Sequence, residues 1–383
     1  MKIAIASSGL GHVTRGIESW ASDLAGALDE RGVPVVLFKG GGSPSRPFER
    51  VNFCLQRGDW RTSRIHRLTR RFFWRFWLGS PYEIEQVSFS INLLHQLRKD
   101  HFDILHVSDP VVALLVQKAR ALGLVRTRAV LSHGTNEPSS FLARIHYLQH
   151  LAPWHLEQAA QDGVFKSSWS SIPNFVDTER FRSGPSEALR AELNIPNDGL
   201  VVLSVAAIKR DHKRIDYLLE EFADLLKASG NRSVWLVVAG GWETDTDDLV
   251  RRGQETLGDR VRFLVRFPRD RIADLYRLAD VFVLCSLREM MPLALLEAVA
   301  SGLPCLVNRH PVLQWMIGPG GEPIDMARRG ALAAALRELL GDDPRRKNLG
   351  RLARDYCLMM FDKTIIVGQH LDYYRSIVDI EGS

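Results

Sequence analysis

Short apolar runs alternate with helical stretches along the whole chain. Lys2–Ala6 reads as a buried strand. Ile17, Trp20, Ala21, Leu24 and Leu28 then recur at helical spacing until Gly32 stops them. Val33–Phe38 is the next strand, followed by the loop Gly40–Pro44. Asp103–Val107 and Ala129–Ser132 are further strands, with a helix through Val111–Leu122 between them. The rhythm restarts near residue 200. Leu200–Val205 is a strand, and Ile215, Leu218, Leu219, Phe222 and Leu226 mark a helix. Val234–Ala239, Val261–Val265, Val281–Cys285 and Pro304–Val307 are strands. Strand–helix–strand units of this kind build parallel sheets covered by helices on both faces. The pattern predicts two doubly wound α/β domains, with a linker in Ser171–Gly184 around Pro173. A final amphipathic helix, Thr364–Val378, has no strand after it.

Composition changes this picture little. A chain of 383 residues suits two domains, and 45% hydrophobic with 25% charged residues excludes global disorder. Fifty basic against 45 acidic residues leave +5, which supports nucleic-acid binding only if clustered. Cys54, Cys285, Cys305 and Cys357 form no CxxC pair. They give no zinc spacing and fit a reduced, cytoplasmic chain. The apolar opening ends at Ser7, too early for a signal-peptide core, and no run approaches the ~18–20 apolar residues of a membrane span.

The first turn reads Gly9-Leu10-Gly11-His12-Val13-Thr14. A dinucleotide fingerprint wants glycine at position 14 and an acid near the end of the second strand, where Lys39 stands. Nicotinamide chemistry is therefore disfavoured. Two readings remain: a tight strand-to-helix turn, or a close approach of Gly9, Gly11 and His12 to a phosphate or substrate.

The most informative stretch is Cys285-Ser286-Leu287-Arg288-Glu289-Met290-Met291-Pro292-Leu293, continuing through Glu297 to Gly302 and Pro304. Pro292 suits the first turn of a helix, Gly302 its C-terminal stop, and Pro304 forbids continuation. Glu289 then lies just before a helix N-terminus at the carboxyl end of a parallel strand, where open α/β sheets bind ligands. Glu297 lies about a turn and a half further in. A dipole partner and a solvated acid are the plainer readings of the pair.

Glu289 and Glu297, followed by Ala298, Ala300, Gly302 and Pro304, resemble the E-x7-E signature of retaining GT-B glycosyltransferases of family 4. Ile172-Pro173-Asn174-Phe175-Val176-Asp177, with Arg180-Phe181, is similar to that family's interdomain motif. Val205–Lys213 is similar to its phosphate-binding loop, and Gly9–His12 to its N-terminal glycine loop. The resemblance runs from residue 1 to about 378. It implies a GT-B fold of two Rossmann-like domains facing across a cleft. Residues 1–172 would be the acceptor side, with the C-terminal helix 362–383 packing back on it, and 173–361 the nucleotide-sugar side.

The resemblance also implies roles. Glu289 would contact hydroxyls of the donor sugar and Glu297 the ribose. The N–H groups of Met290, Met291 and Leu293 would cradle the diphosphate, and Lys213 would neutralise it. The family's usual arginine is missing, since Ala206-Ala207-Ile208 stands in its place. Lys209 or Arg210 is the substitute, with a solvated loop cation as the plainer reading. Arg266 stands where the family holds the nucleotide base, and His133 where it carries a histidine touching donor sugar or acceptor. The family needs no metal and no cofactor. The acidic run Asp245-Thr246-Asp247-Asp248 is read as the start of a helix rather than a metal site.

One stretch stands apart. Residues 57–77 carry seven arginines interleaved with Trp60, Phe72, Phe73, Trp74, Phe76 and Trp77. A basic, aromatic-rich amphipathic helix can lie on an anionic membrane. It can also grip a phosphate-bearing acceptor, or pack on its own domain. The expectation is a retaining, metal-independent hexosyl- or related glycosyltransferase. It acts on a nucleotide-sugar donor and a glycan or lipid-linked acceptor, with peripheral membrane contact through 57–77 and no nucleic acid. A GT-B sugar-nucleotide epimerase and a non-catalytic sugar-nucleotide-binding subunit stay open.

Overall fold

The computed structural model describes residues 1–13, 16–69, 78–229 and 233–379. Thr14 and residues 70–77 of the arginine–aromatic stretch lie outside them. The chain divides into two compact units, Met1–Asn174 with Ile366–Ser383, and Phe175–Ile365.

The first unit holds a seven-stranded parallel sheet in the order β3-β2-β1-β4-β5-β6-β7. Its strands are β1 (Ile3–Ser7), β2 (Val35–Lys39), β3 (Glu49–Val51), β4 (Ile104–Val107), β5 (Arg128–His133), β6 (Tyr147–His150) and β7 (Ser170–Ser171). The helices are α1 (Gly16–Asp29), α2 (Trp60–Thr69), α3 (Pro81–Asp100), α4 (Pro110–Ala121), α5 (Ser139–Leu142) and α6 (Pro153–Gln161). β1 is buried at every position, as a central strand covered on both faces must be.

The second unit holds a six-stranded parallel sheet in the order β10-β9-β8-β11-β12-β13. Its strands are β8 (Leu200–Val205), β9 (Val234–Gly240), β10 (Val261–Val265), β11 (Val281–Leu284), β12 (Cys305–Asn308) and β13 (Gly321–Ile324). Around them lie α7 (Glu187–Glu192), α8 (Ile215–Ser229), α9 (Thr246–Leu257), α10 (Ile272–Leu278), α11 (Leu293–Ala300), α12 (Pro311–Ile317), α13 (Ala331–Gly341) and α14 (Asp343–Met360). Both sheets are doubly wound. The strand order reverses between β1 and β4 in one and between β8 and β11 in the other. Open parallel sheets bind ligands outside the strand ends at that reversal.

The last helix, α15 (Lys363–Asp379), begins in the second unit and ends in the first. Ile366, Val367, His370, Leu371, Tyr374 and Ile377 form its buried stripe. Tyr374 Oη and His106 Nδ1 on β4 are hydrogen-bonded at 2.5 Å. His370 packs edge-on to His106, with ring centroids 5.4 Å apart. Neither ring nitrogen of His370 has a hydrogen-bond partner among the described residues.

Burial holds His370 down to about 3, and burial with the neighbouring His370 holds His106 well below the ordinary imidazole value. Both are neutral when folded, and both take a proton near pH 6.5 when unfolded. Their contribution is complete above about pH 6.5 and falls as pH drops. The loss at pH 5 is about 2 kcal/mol for His370, and His106 adds a loss of the same sign. Thermal melts should therefore give a lower Tm at pH 5 than at pH 7.5. His370→Leu should leave Tm at pH 7.5 unchanged or higher and should shrink the difference, because it removes a buried ring with unpaired polar atoms. A pH difference left intact by His370→Leu would count against the assignment.

Candidate functional site

The reversal between β8 and β11 brings two loops to one edge. The first runs from Ala206 to Arg214 ahead of α8. Ile208 N donates to Gly241 O at 3.1 Å, and Ile215 N closes back on Lys209 O at 3.2 Å. His212 and Arg214 both adopt left-handed backbone, at φ 66° and 52°. Side chains rarely accept that conformation without local support. Arg214 gains it from Met326 O at 2.7 Å and from the Tyr217 ring, 4.1 Å away. The second loop, Cys285–Pro292, follows β11. Asn308 Nδ2 at the end of β12 donates to Leu287 O at 2.9 Å and ties the loop down.

These two loops join Lys213 to Glu289, whose carboxylate Oε1 receives the Lys213 ammonium. His212 Nε2 lies 3.6 Å from Glu289 Oε2 and 2.9 Å from Arg288 O. The Glu289 side chain is 9% exposed and that of Lys213 18%, so the pair is largely desolvated. Pro292 occupies the N-cap of α11 in extended backbone rather than a place in its first turn. Leu293 therefore opens the helix, and its N–H is one of those a helix leaves without an internal acceptor. Met290 is half-buried and Met291 buried beside them. Gly302 stops the helix at φ 76°.

Glu297, on the same helix, is buried. Its Oε2 accepts from the Tyr276 hydroxyl at 2.7 Å, and Arg269 Nη2 lies 3.4 Å from Oε1. Burial first, and then Glu297, push the Tyr276 phenol well above its ordinary value, so it stays a donor. Lys209 is half-buried, and its ammonium has no ion-pair partner among the described residues. Arg210 is occupied: it pairs with Asp248 and lies 3.8 Å from Asp245. Of the two candidate substitutes for the missing loop arginine, Arg210 is the one with acidic partners among the described residues. The acidic run is accounted for in the same way, with Asp247 accepting from Trp242 Nε1 at 3.1 Å. Arg266 sits just past β10 at φ 56°, with its guanidinium 6.0 Å from the Trp242 ring centre. Among the described residues no cluster of His, Cys, Asp and Glu has metal-site geometry.

In the first unit the glycine loop follows β1. A Cβ on Gly9 would meet Glu18 Oε1 at 2.4 Å, and one on Gly11, at φ 99°, would meet Gly41 O at 2.1 Å. Backbone packing and conformation thus require Gly11, whereas the atoms facing Gly9 are side-chain ends of Glu18 and Arg57. The N–H groups of Leu10, His12 and Val13 donate to Ser7 and Gly9 carbonyls. His12 Nε2 is 2.9 Å from Glu85 Oε2, and Glu85 also receives Arg57 Nη2 at 2.6 Å and Arg57 N at 2.7 Å. Burial pushes the Glu85 carboxyl up, but the hydrogen bonds from His12 and Arg57 outweigh it and bring the group to about 2. Beside them Asp109 accepts from Ser8 N at 2.7 Å and from Tyr82 Oη at 2.8 Å. Arg57 is therefore tied into the sheet edge and does not belong with the exposed arginines of the stretch it opens.

His133 ends β5. Its Nδ1 is 3.1 Å from His150 Nδ1, and its Nε2 is 4.0 Å from Glu137 Oε2. Burial and His150 hold it down to about 3, so it is neutral at pH 7. Sequence reasoning missed Glu85, Asp109, Tyr82, His150, Glu137, Tyr276, Arg269 and Trp242. Only Asp109 carried a signal, as an acid directly after a strand and before Pro110.

Comparison with known proteins fits this architecture. Residues 14–180 match the family Glycosyltransferase Family 4, and residues 185–356 match Glycosyl transferases group 1. D-inositol 3-phosphate glycosyltransferase 1 of Catenulispora acidiphila is 28% identical over 282 residues, 69% of this chain and 67% of that protein. The chain spans about two-thirds or less of the length of the first curated relatives it matches. Among solved structures, sucrose-phosphate synthase from Thermosynechococcus elongatus superposes with a TM-score of 0.78 at 22% identity, covering 99% of each chain. Anabaena HepE in complex with UDP-glucose gives 0.69 at 17% identity, covering 98% of this chain and 100% of that one. With both units matched in order and both sheets doubly wound, the chain belongs to the GT-B glycosyltransferases of the family 4 type.

Proposed function

We propose that the protein transfers a sugar from a nucleotide-diphosphate sugar to an acceptor hydroxyl, with retention of anomeric configuration and without an essential metal. The observation that carries this reading is the Lys213–Glu289 pair at the strand reversal, beside the start of α11. The UDP-glucose held by Anabaena HepE supports a UDP-sugar donor. In this reading Glu289 exchanges its lysine partner for donor sugar hydroxyls, and Lys213 turns to the diphosphate. Lys209 supplies the second cation, and Glu297 with Tyr276 and Arg269 receives the ribose. The bond from C1 to the phosphate oxygen breaks with its electrons on the phosphate. The acceptor oxygen bonds to C1 on the same face, and its proton passes to the departing phosphate. Cations fixed beside the developing charge favour that transition state. His12 and His133, hydrogen-bonding groups of the first unit, serve the acceptor or the sugar in this reading. The product is a glycan, glycolipid or exopolysaccharide intermediate.

A peripheral membrane location extends the reading. On α2, Trp60 is 65% and Leu68 73% exposed. Arg61, Arg64 and Arg67 are exposed beside them, and the helix contains no acid. Such a surface suits anionic lipid and a lipid-linked acceptor.

The first test is release of nucleoside diphosphate from a panel of UDP-, GDP- and ADP-sugars, with and without acceptors. Glu289→Ala and Lys213→Ala should each slow release roughly 100- to 1000-fold. A chelator should leave the rate within twofold, and an α-linked donor should give an α-linked product by NMR. No release from any donor would end the transferase reading, and a β-linked product would end the retaining one.

The second test is flotation with phosphatidylglycerol vesicles. Binding should be lost at high salt, and replacing Arg61, Arg64 and Arg67 together by Ala should weaken it on the order of 100-fold, at about 1 kcal/mol for each cation. Recovery that ignores both salt and the triple change would remove the membrane from the picture.

A further inference from the structure

β5 and β6 pair in parallel, and His133 stands opposite His150 at the last rung of the ladder. Opposite residues of a ladder point to the same face, so the two imidazoles lie side by side where both strands end. Their Nδ1 atoms are 3.1 Å apart. Neither ring is free to turn away. His150 is fully buried, edge-on to Trp169 at 5.3 Å and stacked on His155 at 6.4 Å between ring centres. His133 is buried too, edge-on to His155 at 5.8 Å.

Burial brings His150 down to about 4, with His155 adding to the effect, and His133 lies lower still, so both rings are neutral at pH 7. A neutral imidazole carries one N–H and one lone pair. Two Nδ1 atoms at this distance therefore form a hydrogen bond in which one ring donates and the other accepts. The second nitrogens decide which. His133 Nε2 lies 4.0 Å from Glu137 Oε2, and Thr135 Oγ1 donates to the other oxygen of that carboxylate at 2.6 Å. His150 Nε2 is buried and has no hydrogen-bond partner among the described residues. Were His133 the donor, its Nε2 lone pair would face the lone pairs of Glu137, and His150 would hold a buried N–H with no acceptor. With His150 as the donor, His133 turns an N–H toward the acidic oxygen and His150 keeps only an idle lone pair. The second arrangement avoids both the repulsion and the stranded donor.

We infer that His150 is a positioning residue: its Nδ1–H fixes His133 as the tautomer that offers Nε2–H, so that His133 meets the sugar or the acceptor as a hydrogen-bond donor and never as a base. The second nitrogen of a histidine sets the role of the first in this way. Glu137 orients the Nε2–H from 4.0 Å but is too distant to take it in a hydrogen bond, which leaves it to a substrate oxygen. The inference rests on the transferase reading above and adds the group that sets the chemistry of its histidine.

Histidine-selective nitrogen-15 NMR of the full chain at pH 7.5 reads the tautomer directly, with signals assigned by substitution. The proton should sit on Nε2 in His133 and on Nδ1 in His150. His150→Leu should lose the single His133 tautomer and slow transfer about 2- to 10-fold, the worth of one hydrogen bond. His150→Asn can place an amide N–H where Nδ1–H stood and should recover both the tautomer and most of the rate. Affinity for the nucleoside diphosphate that the parent releases should stay within twofold in both variants by calorimetry, because in this reading the second unit holds it. The reversed tautomer pair in an active parent overturns the inference alone. So does a Leu variant as fast as the parent, or an Asn variant no better than Leu. A rate and a nucleoside diphosphate affinity that fall together would mark a structural effect and overturn it too. If the parent turns over no nucleotide sugar, the transferase reading falls and takes the role of His150 with it.

Discussion

A parallel strand can pair with its neighbour only if the chain returns to the same starting edge, so every strand of such a sheet ends on one side. In both units this places all the strand-to-helix loops together and leaves one gap where the order reverses. The chemistry-bearing groups follow from that constraint. Glu289 and Lys213 stand on the loops after β11 and β8, the two strands at the reversal. Ser8 and Asp109 stand on the loops after β1 and β4, the matching pair in the first unit. Neither set is close in sequence; 76 positions separate the first pair and 101 the second.

The two edges solve opposite electrostatic problems. In the first unit carboxylates dominate: Glu85, Asp109 and Glu18 are all buried, and Arg57 pairs with Glu85, which His12 also contacts. Removing Arg57 would leave buried negative charge without its main partner, a loss of several kcal/mol for groups of this kind. In the second unit the edge gathers Lys209, Lys213 and Arg266, while Arg210 is kept by Asp245 and Asp248. The proposed reading puts the diphosphate leaving group at the second edge and the hydroxyl-rich acceptor at the first.

How much of this was legible depends on range. β8 appears at the expected residues because a buried parallel strand writes a nearly continuous apolar run. The stop of α11 at Gly302 follows from local backbone conformation. α3 was not legible, although it is 20 residues long, because Glu85, Gln86 and Ser90 sit on its buried face and blur the stripe. They are buried there because Arg57, Val111 N and the helix's own carbonyls satisfy them, and such partners are invisible in sequence. The arginine of residue 57 looked like the start of a basic surface for the same reason. Its partner lies 28 positions away. Trp242 carried no signal, because nothing local distinguishes an exposed indole that is held from one that is loose.

The backbone itself argues for where function sits. Among the described residues five non-glycine residues adopt left-handed conformation, and His212, Arg214 and Arg266 are three of them. His101 and Asn194 stand at helix ends, where such a residue closes the last turn. The other three stand on the loops of the sheet edge, where glycine would serve at lower conformational cost. Glycine at 212 or 214 would free the loop, and Lys213 with it. Each strained residue is instead pinned by its own side chain: His212 to Arg288 O, Arg214 to Met326 O and the Tyr217 ring. Lys213 is thus clamped from both neighbours, so its side chain starts from one fixed backbone position. A cation rooted at a fixed position has fewer arrangements to search than one on a loose loop. That is the physical reason to expect strained, side-chain-bearing positions here rather than glycines.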